Sequence, residues 1–264
     1  MQDPQKHISL STHNLTVGYA QKGTKTPIVS NISLDLEAGA LIGLIGINGS
    51  GKSTLLRTLA SIQEPLSGTI SIKETIIKEL TPLERAKQVS VVLTNQAISK
   101  NLSVTELVSL GRQPYINWLD ALDTTNLEIV QDAMTATSCA AYQNKKCYEL
   151  SDGQLQRVLI ARALAQDTPI ILLDEPLSHL DLHHKAAILK LLKRIAQEQQ
   201  KTILFSTHDI ELVLPLCDNL LVLKEGHCTT GSPQELIAQK AFDTLFPSEH
   251  ISFDAETGRF SIDK

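Results

Sequence analysis

Gly46-Ile47-Asn48-Gly49-Ser50-Gly51-Lys52-Ser53-Thr54 decides how this 264-residue chain is read. The run follows a compact apolar segment, Leu41 to Ile45, and leads into a stretch suited to a helix beginning near Gly51. Glycines at these places let consecutive backbone N–H groups point at phosphate oxygens, and the positive end of the following helix adds to the attraction. Matched in residues and in context, the run reads as a phosphate-binding loop. Gly46, Asn48, Gly49, Ser50, Gly51 and Thr54 belong to the cradle, Lys52 reaches the β- and γ-phosphates, and the Ser53 hydroxyl serves Mg²⁺.

A second element supports the first. Ile170-Ile171-Leu172-Leu173 is an apolar strand that delivers Asp174 and Glu175 at its C-terminal end, where ligands of open α/β sheets collect. Asp174 is placed to hold the metal, through water, and Glu175 to orient and polarise an attacking water. Two adjacent acids alone would equally suit a solvated turn; beside a phosphate loop they complete a nucleotide-hydrolysing site.

Around these motifs the chain reads as α/β. Ile8 to Gly18 and Ile28 to Leu36 alternate apolar and polar like half-buried antiparallel strands, with Lys22 to Pro27 as the turn between them. Thr202 to Phe205 is another short run suited to a buried parallel strand. Between Ala97 and Glu149 strand signals give way to helical ones, Val104 to Leu110 and Thr125 to Ser138. Further helices are expected over Gly153 to Gln166, capped by Ser151, and over Asp181 to Gln199, where Ile188, Leu189, Leu192 and Ile195 recur at helical spacing. Ser232 and Pro233 open a last helix running to about Leu245, and the pattern is weak after Pro247. The expected architecture is one domain over residues 1–264: a P-loop ATPase core with a mostly parallel sheet and an antiparallel β-layer (about 1–96 and 150–245), a helical subdomain (about 97–149) and a tail (about 246–264).

Composition excludes several classes. With 24 basic against 29 acidic residues the net charge is −5, which argues against a broad nucleic-acid footprint. The four cysteines have no CxxC spacing, so neither a zinc knuckle nor a disulfide framework is suggested, and a reducing compartment fits. No apolar run approaches the roughly 20 residues that span a bilayer, and the N-terminus has no apolar signal core. A membrane role would therefore run through a partner.

Leu150-Ser151-Asp152-Gly153-Gln154, followed by Gln156 and Arg157, resembles the LSGGQ signature of ATP-binding-cassette proteins. The resemblance covers nearly the whole chain. Tyr19 sits where that family stacks an aromatic on adenine, and Gln96 follows the run Val89 to Leu93 as the family's Q-loop glutamine does. Ser178-His179-Leu180-Asp181 resembles the D-loop, and His208 ends the run Thr202 to Thr207 where the switch histidine lies. The resemblance implies catalytic roles for Glu175, His208, Gln96 and Lys52, with ATP as ligand and Mg²⁺ held by Ser53, Gln96 and Asp174. It also implies a head-to-tail homodimer in which Ser151, Gly153, Gln154 and Asp181 reach nucleotide held by the partner copy, so that ATP glues the dimer. The remaining partners so implied are integral membrane permease subunits and, indirectly, a substrate-binding protein, with the chain peripheral on the cytoplasmic face of the inner membrane. Asp152 departs from the family's glycine; a carboxylate there suits the helix dipole but approaches a polyanion, and the side chain is expected to turn away from it. His179, His183 and His184 read as facing solvent or the dimer seam rather than as a metal site.

Leu107-Val108-Ser109-Leu110-Gly111-Arg112-Gln113-Pro114-Tyr115 resembles the G-R-x-P-H/Y stretch in ATPases of iron-siderophore, haem and cobalamin importers. Ala163 to Pro169 resembles the A-L-A-Q-x-T-P of the same group, while Leu177-Ser178 departs from its usual Thr-Thr. The implied function is the energising subunit of such an importer. An importer of another substrate, or a soluble non-transport ATPase of the same family, stays open at this level.

Overall fold

The computed structural model describes residues 7–21, 23–94, 98–116, 122–243, 245 and 251–262. Strands β1 (Ile8–Gln21), β2 (Thr24–Glu37), β4 (Ser67–Ile72) and β5 (Thr75–Ile76) form an antiparallel sheet in the order β2-β1-β4-β5. The hairpin is longer than the alternation predicts. Thr24 to Pro27 pair with Gln21 to Gly18 and are strand, not turn. Thr24 and Thr26 are β-branched, and cross-strand pairing carries the ladder past the last apolar pair.

The second sheet has six strands. β3 (Leu41–Gly46), β6 (Val89–Val92), β7 (Ile170–Leu173), β8 (Thr202–Thr207), β9 (Asn219–Lys224) and β10 (His227–Gly231) run in the order β10-β9-β3-β8-β7-β6. β6, β7, β8, β3 and β9 are mutually parallel, and β10 closes one edge as an antiparallel neighbour of β9. β3 is buried on both faces, as its unbroken apolar run requires. Leu41 and Ile45 enter the core shared with the helices, whereas Ile42 and Leu44 enter the core shared with the antiparallel sheet. Loops that leave the C-terminal ends of β3, β7 and β8 therefore emerge side by side.

The helices are α1 (Lys52–Leu59), α2 (Pro82–Ala86), α3 (Val104–Ser109), α4 (Thr124–Ala136), α5 (Asp152–Ala165), α6 (Leu182–Glu198), α7 (Ile210–Val213) and α8 (Pro233–Ala238). Their starts follow capping chemistry: Ser103, Ser151 and Ser232 each form a capping box with the residue three places on. α8 stops at Ala238, well short of Leu245. Lys240 takes a left-handed backbone (φ 55), and the turn it makes swings Phe242 and Leu245 into the core without a helical face.

The weak pattern after Pro247 also conceals structure. β11 (Ile251–Asp254) and β12 (Arg259–Ile262) form a hairpin whose turn holds Gly258 at φ 67. Phe253 stacks on Phe242 and on Phe260, both at 5.0 Å between ring centres, which fixes the hairpin to the core.

Candidate nucleotide site

The phosphate loop leaves β3 at Gly46 and enters α1 at Lys52. Gly51 precedes the helix at φ 103, and a Cβ on it would lie 2.7 Å from Ile28 Cγ2. At Gly46 a Cβ would meet Ser50 Oγ at 2.4 Å. Only glycine fits either place, and the loop's backbone is left bare toward the space in front of α1. Ser50 Oγ is buried without a hydrogen-bond partner among the described residues, a polar atom waiting in the cradle.

Lys52 curls over the loop: its Nζ donates to Gly46 O at 2.8 Å and Ile47 O at 3.2 Å. Burial pulls its amine below the ordinary lysine value, and the neighbouring carboxylates of Glu175 and Asp174 oppose that shift. The ammonium is thus held at the mouth of the loop by weak acceptors that a phosphate would displace.

Asp174 is 3% exposed yet fully satisfied. Ser53 Oγ donates to its Oδ1 at 3.0 Å, Ser206 Oγ to the same oxygen at 2.7 Å, and Thr94 Oγ1 to Oδ2 at 3.0 Å. Three hydroxyls, from α1, β8 and the turn after β6, aim one carboxylate. Glu175 follows in a left-handed conformation (φ 48), which an L-residue adopts only when its surroundings demand it. Its carboxylate Oε2 lies 4.0 Å from His208 Nδ1. A cleft of about 450 Å³ opens at this acid pair, lined by Ser53, Thr94, Asp174, Glu175, Gln156 and Asp152. A second hollow of about 260 Å³ joins Gly46, Asn48, Glu175 and His208. The site therefore gathers Lys52, Ser53, Asp174, Glu175 and His208, drawn from three strand ends.

A divalent cation fits this donor set. The Ser53 hydroxyl and the Asp174 carboxylate are hard oxygen donors already within hydrogen-bond distance of each other, the kind of ligand Mg²⁺ takes. Gln96, expected beside them, lies outside the described residues. Tyr19 is half exposed at 46%, with its hydroxyl 3.3 Å from Thr54 Oγ1 at the start of α1.

Ser151, Gly153, Gln154 and Asp181 lie at the starts of α5 and α6. Ser151 caps α5, its N–H donating to Gln154 Oε1 at 3.1 Å. Gly153 is packed so closely that a Cβ there would lie 2.8 Å from His184 Cδ2. His184 in turn sits 2.8 Å from Asp181 Oδ1, the cap of α6, so one imidazole ties the first turn of α5 to the cap of α6. Asp152 is exposed and lines the cleft beside Asp174 of its own chain.

The segment Leu107 to Tyr115 has an internal role. Gly111 and Arg112 are buried; a Cβ on Gly111 would sit 2.3 Å from Arg162 O. Arg112 Nε donates to Asn126 Oδ1 and Nη1 to Ala165 O, each at 2.7 Å, while its guanidinium lies 3.9 Å from the Tyr115 ring centre. Glycine, arginine and tyrosine here join α3, α4 and the end of α5.

Sequence reasoning passed over Thr94, Ser206 and the pair Lys185–Asp209, whose Nζ meets both carboxylate oxygens at 2.8 and 2.9 Å. Thr94, Ser206 and Asp209 each lie within two residues of a recognised motif or strand end, which is the signal available in the sequence; Lys185, inside α6, has no such signal.

Residues 29–178 match the family described as ABC transporter, and a profile for an AAA domain matches the shorter stretch 143–214. The petrobactin import ATP-binding protein FpuD of Bacillus anthracis is 35% identical over 248 residues, covering 93% of this chain and 89% of that protein. The iron(3+)-hydroxamate import ATP-binding protein FhuC of Bacillus subtilis is 36% identical over 218 residues, 83% of this chain and 80% of that one. Among solved structures, a dimeric bacterial ABC transporter cassette superposes with a TM-score of 0.73 at 27% identity, over 85% of this chain and 98% of its own. The chain belongs to the ABC transporter family and is its ATP-binding, ATP-hydrolysing component.

Proposed function

We propose that this ATPase energises an importer of an iron chelate, haem or cobalamin, working as a head-to-tail homodimer beneath separate membrane permease subunits. The observation that carries the reading is the juxtaposition of a phosphate loop with Asp174, Glu175 and His208, in a chain similar over most of its length to siderophore-import ATPases. Among the described residues no helix is long and apolar enough to cross a membrane, so spanning segments would come from the permease. The chain would then sit peripherally on the cytoplasmic face of the inner membrane, with a substrate-binding protein delivering cargo on the other side. Helical residues 97–149 would form the subdomain that meets the permease, on a core made by 1–96 and 150–245.

The residues divide the chemistry among them. The loop N–H groups from Asn48 to Thr54 bind the β- and γ-phosphates, with Lys52 exchanging its two carbonyl acceptors for phosphate oxygens. Tyr19 stacks on the base at the open side of α1. Ser53, Asp174 (through water) and Gln96 would hold Mg²⁺, which when bound neutralises charge on the β- and γ-phosphates. Glu175 orients a water against the γ-phosphorus and accepts its proton as the bond forms, and His208, one contact away, steadies the γ-phosphate. Ser151, Gly153 and Gln154 of the partner copy present the start of α5 to the same phosphate, and its Asp181 closes the seam. Cleavage removes the group gripped from both sides, and the dimer opens.

A deletion strain tests the substrate class. Uptake of one ferric chelate, haem or cobalamin is expected to be lost, with sugar, amino-acid and peptide uptake intact. Normal uptake of all of these chelates, in a background without redundant transporters, contradicts the proposal.

A further inference from the structure

Ser206 lies on β8, wholly buried, one residue past the last paired position between β7 and β8. That position sets its hydroxyl between two consecutive residues of the neighbouring strand end. Its O–H donates to Asp174 Oδ1 at 2.7 Å, and its oxygen accepts the backbone N–H of Glu175 at 2.8 Å. Both capacities of one hydroxyl are spent on the acid pair. The second bond falls on the residue whose backbone is left-handed, φ 48, a conformation that needs external support. Ser178 N–H and Oγ both close onto Glu175 O, so the peptide is gripped from either end.

We propose that Ser206 is a positioning residue for hydrolysis, coupling the aim of Asp174 to the backbone that presents Glu175. The inference rests on the roles assigned above to those two acids. Ser53 also donates to Asp174, but it belongs to the phosphate loop and its oxygen is wanted by nucleotide and cation. Ser206 comes from β8 and Thr94 from the turn just past β6, so they keep the carboxylate in place independently of what Ser53 binds. Without the Ser206 hydroxyl the Glu175 N–H has no acceptor among the described residues, the left-handed segment keeps only its Ser178 contacts, and the Glu175 carboxylate drifts from its water. Glycine is absent from this turn, so the conformation is stabilised by a hydrogen bond rather than by a permissive residue.

Ser206→Ala in the full-length chain tests this. Amide hydrogen exchange, followed by NMR without nucleotide, is expected to speed at least tenfold at Glu175 while amides in the middle of β7 and β8 keep their rates. Steady-state ATPase is expected to show kcat reduced at least tenfold and KM for MgATP changed by less than threefold. Ser206→Cys, similar in size with a weaker donor, falls between parent and alanine. Unchanged exchange at Glu175, uniform acceleration along both strands, or a kcat within twofold of the parent overturns the proposal. A Glu175→Gln chain that hydrolyses ATP normally overturns the reading of Glu175 instead, and the exchange rates still decide whether Ser206 holds the segment.

Discussion

At the scale of single residues, the site is a solution to burying charge. Asp174 is nearly sealed from solvent and would be costly unpaired, yet three hydroxyls satisfy it as donors without neutralising it. Lys52 follows the same logic with carbonyl acceptors. Asp152 is the unusual charge, a carboxylate in the first turn of α5 where the family has glycine. It is exposed and free to swing, and it favours the helix dipole, so its net effect on a phosphate at that terminus is small. Asp152→Gly is therefore expected to leave ATPase activity within about fivefold of the parent, since screened surface charges are worth about 1 kcal/mol or less. An increase by orders of magnitude, read by phosphate release, contradicts this.

The same residues mark what could be read in advance. Lys52, Ser53, Asp174 and Glu175 were legible because phosphate and metal chemistry demands local patterns, a glycine loop before a helix and acids at a strand end. Ser206 and Thr94 were not, because their importance comes from strand pairing. They meet Asp174 across 32 and 80 residues of chain, and neither hydroxyl sits in a pattern of its own. Gln96 was read from family resemblance and lies outside the described residues.

Among elements, helix starts were legible, and so were the ends of α3, α4, α5 and α6 to within two residues, but not the end of α8. Ser103, Ser151 and Ser232 announce their helices through capping boxes, a signal contained in four residues. The end of α8 depends on where Phe242 and Leu245 find room, and the C-terminal hairpin depends on Phe253 meeting Phe242 and Phe260. Such choices are tertiary. The stretch Gly111-Arg112 is the sharpest case: its resemblance to importer ATPases says nothing of its packing, and in the structure it is a strut inside the protein. A methyl group at Gly111 would press on Arg162 O at the end of α5. Gly111→Ala should therefore destabilise the chain by about 1–3 kcal/mol, as overpacking does. Thermal unfolding is expected to shift down by several degrees, at about 2–4 °C per kcal/mol. An unchanged melting temperature would show that α5 yields without cost.

For the whole molecule, the candidate residues come from two sets of elements. Lys52, Ser53, Asp174, Glu175 and His208 converge at the ends of β3, β7 and β8. Ser151, Gly153 and Asp181 form another unit, bound together through His184. On the proposed head-to-tail dimer, the two units would face opposite sides of one nucleotide, one from each copy. The dimeric cassette that this chain resembles has the matching stoichiometry. On the proposed function, ATP is enclosed between two copies and Glu175 drives its cleavage. Glu175→Gln keeps the side chain's size and hydrogen bonding while removing the base, so binding should survive and turnover should fall at least 100-fold, within the range typical of general-base removal. Size-exclusion chromatography of Glu175→Gln tests both halves at once: with MgATP the chain is predicted to elute as a dimer that stays closed, and without nucleotide as a monomer. Elution as a monomer at saturating MgATP, or hydrolysis at near the parental rate, would contradict the account.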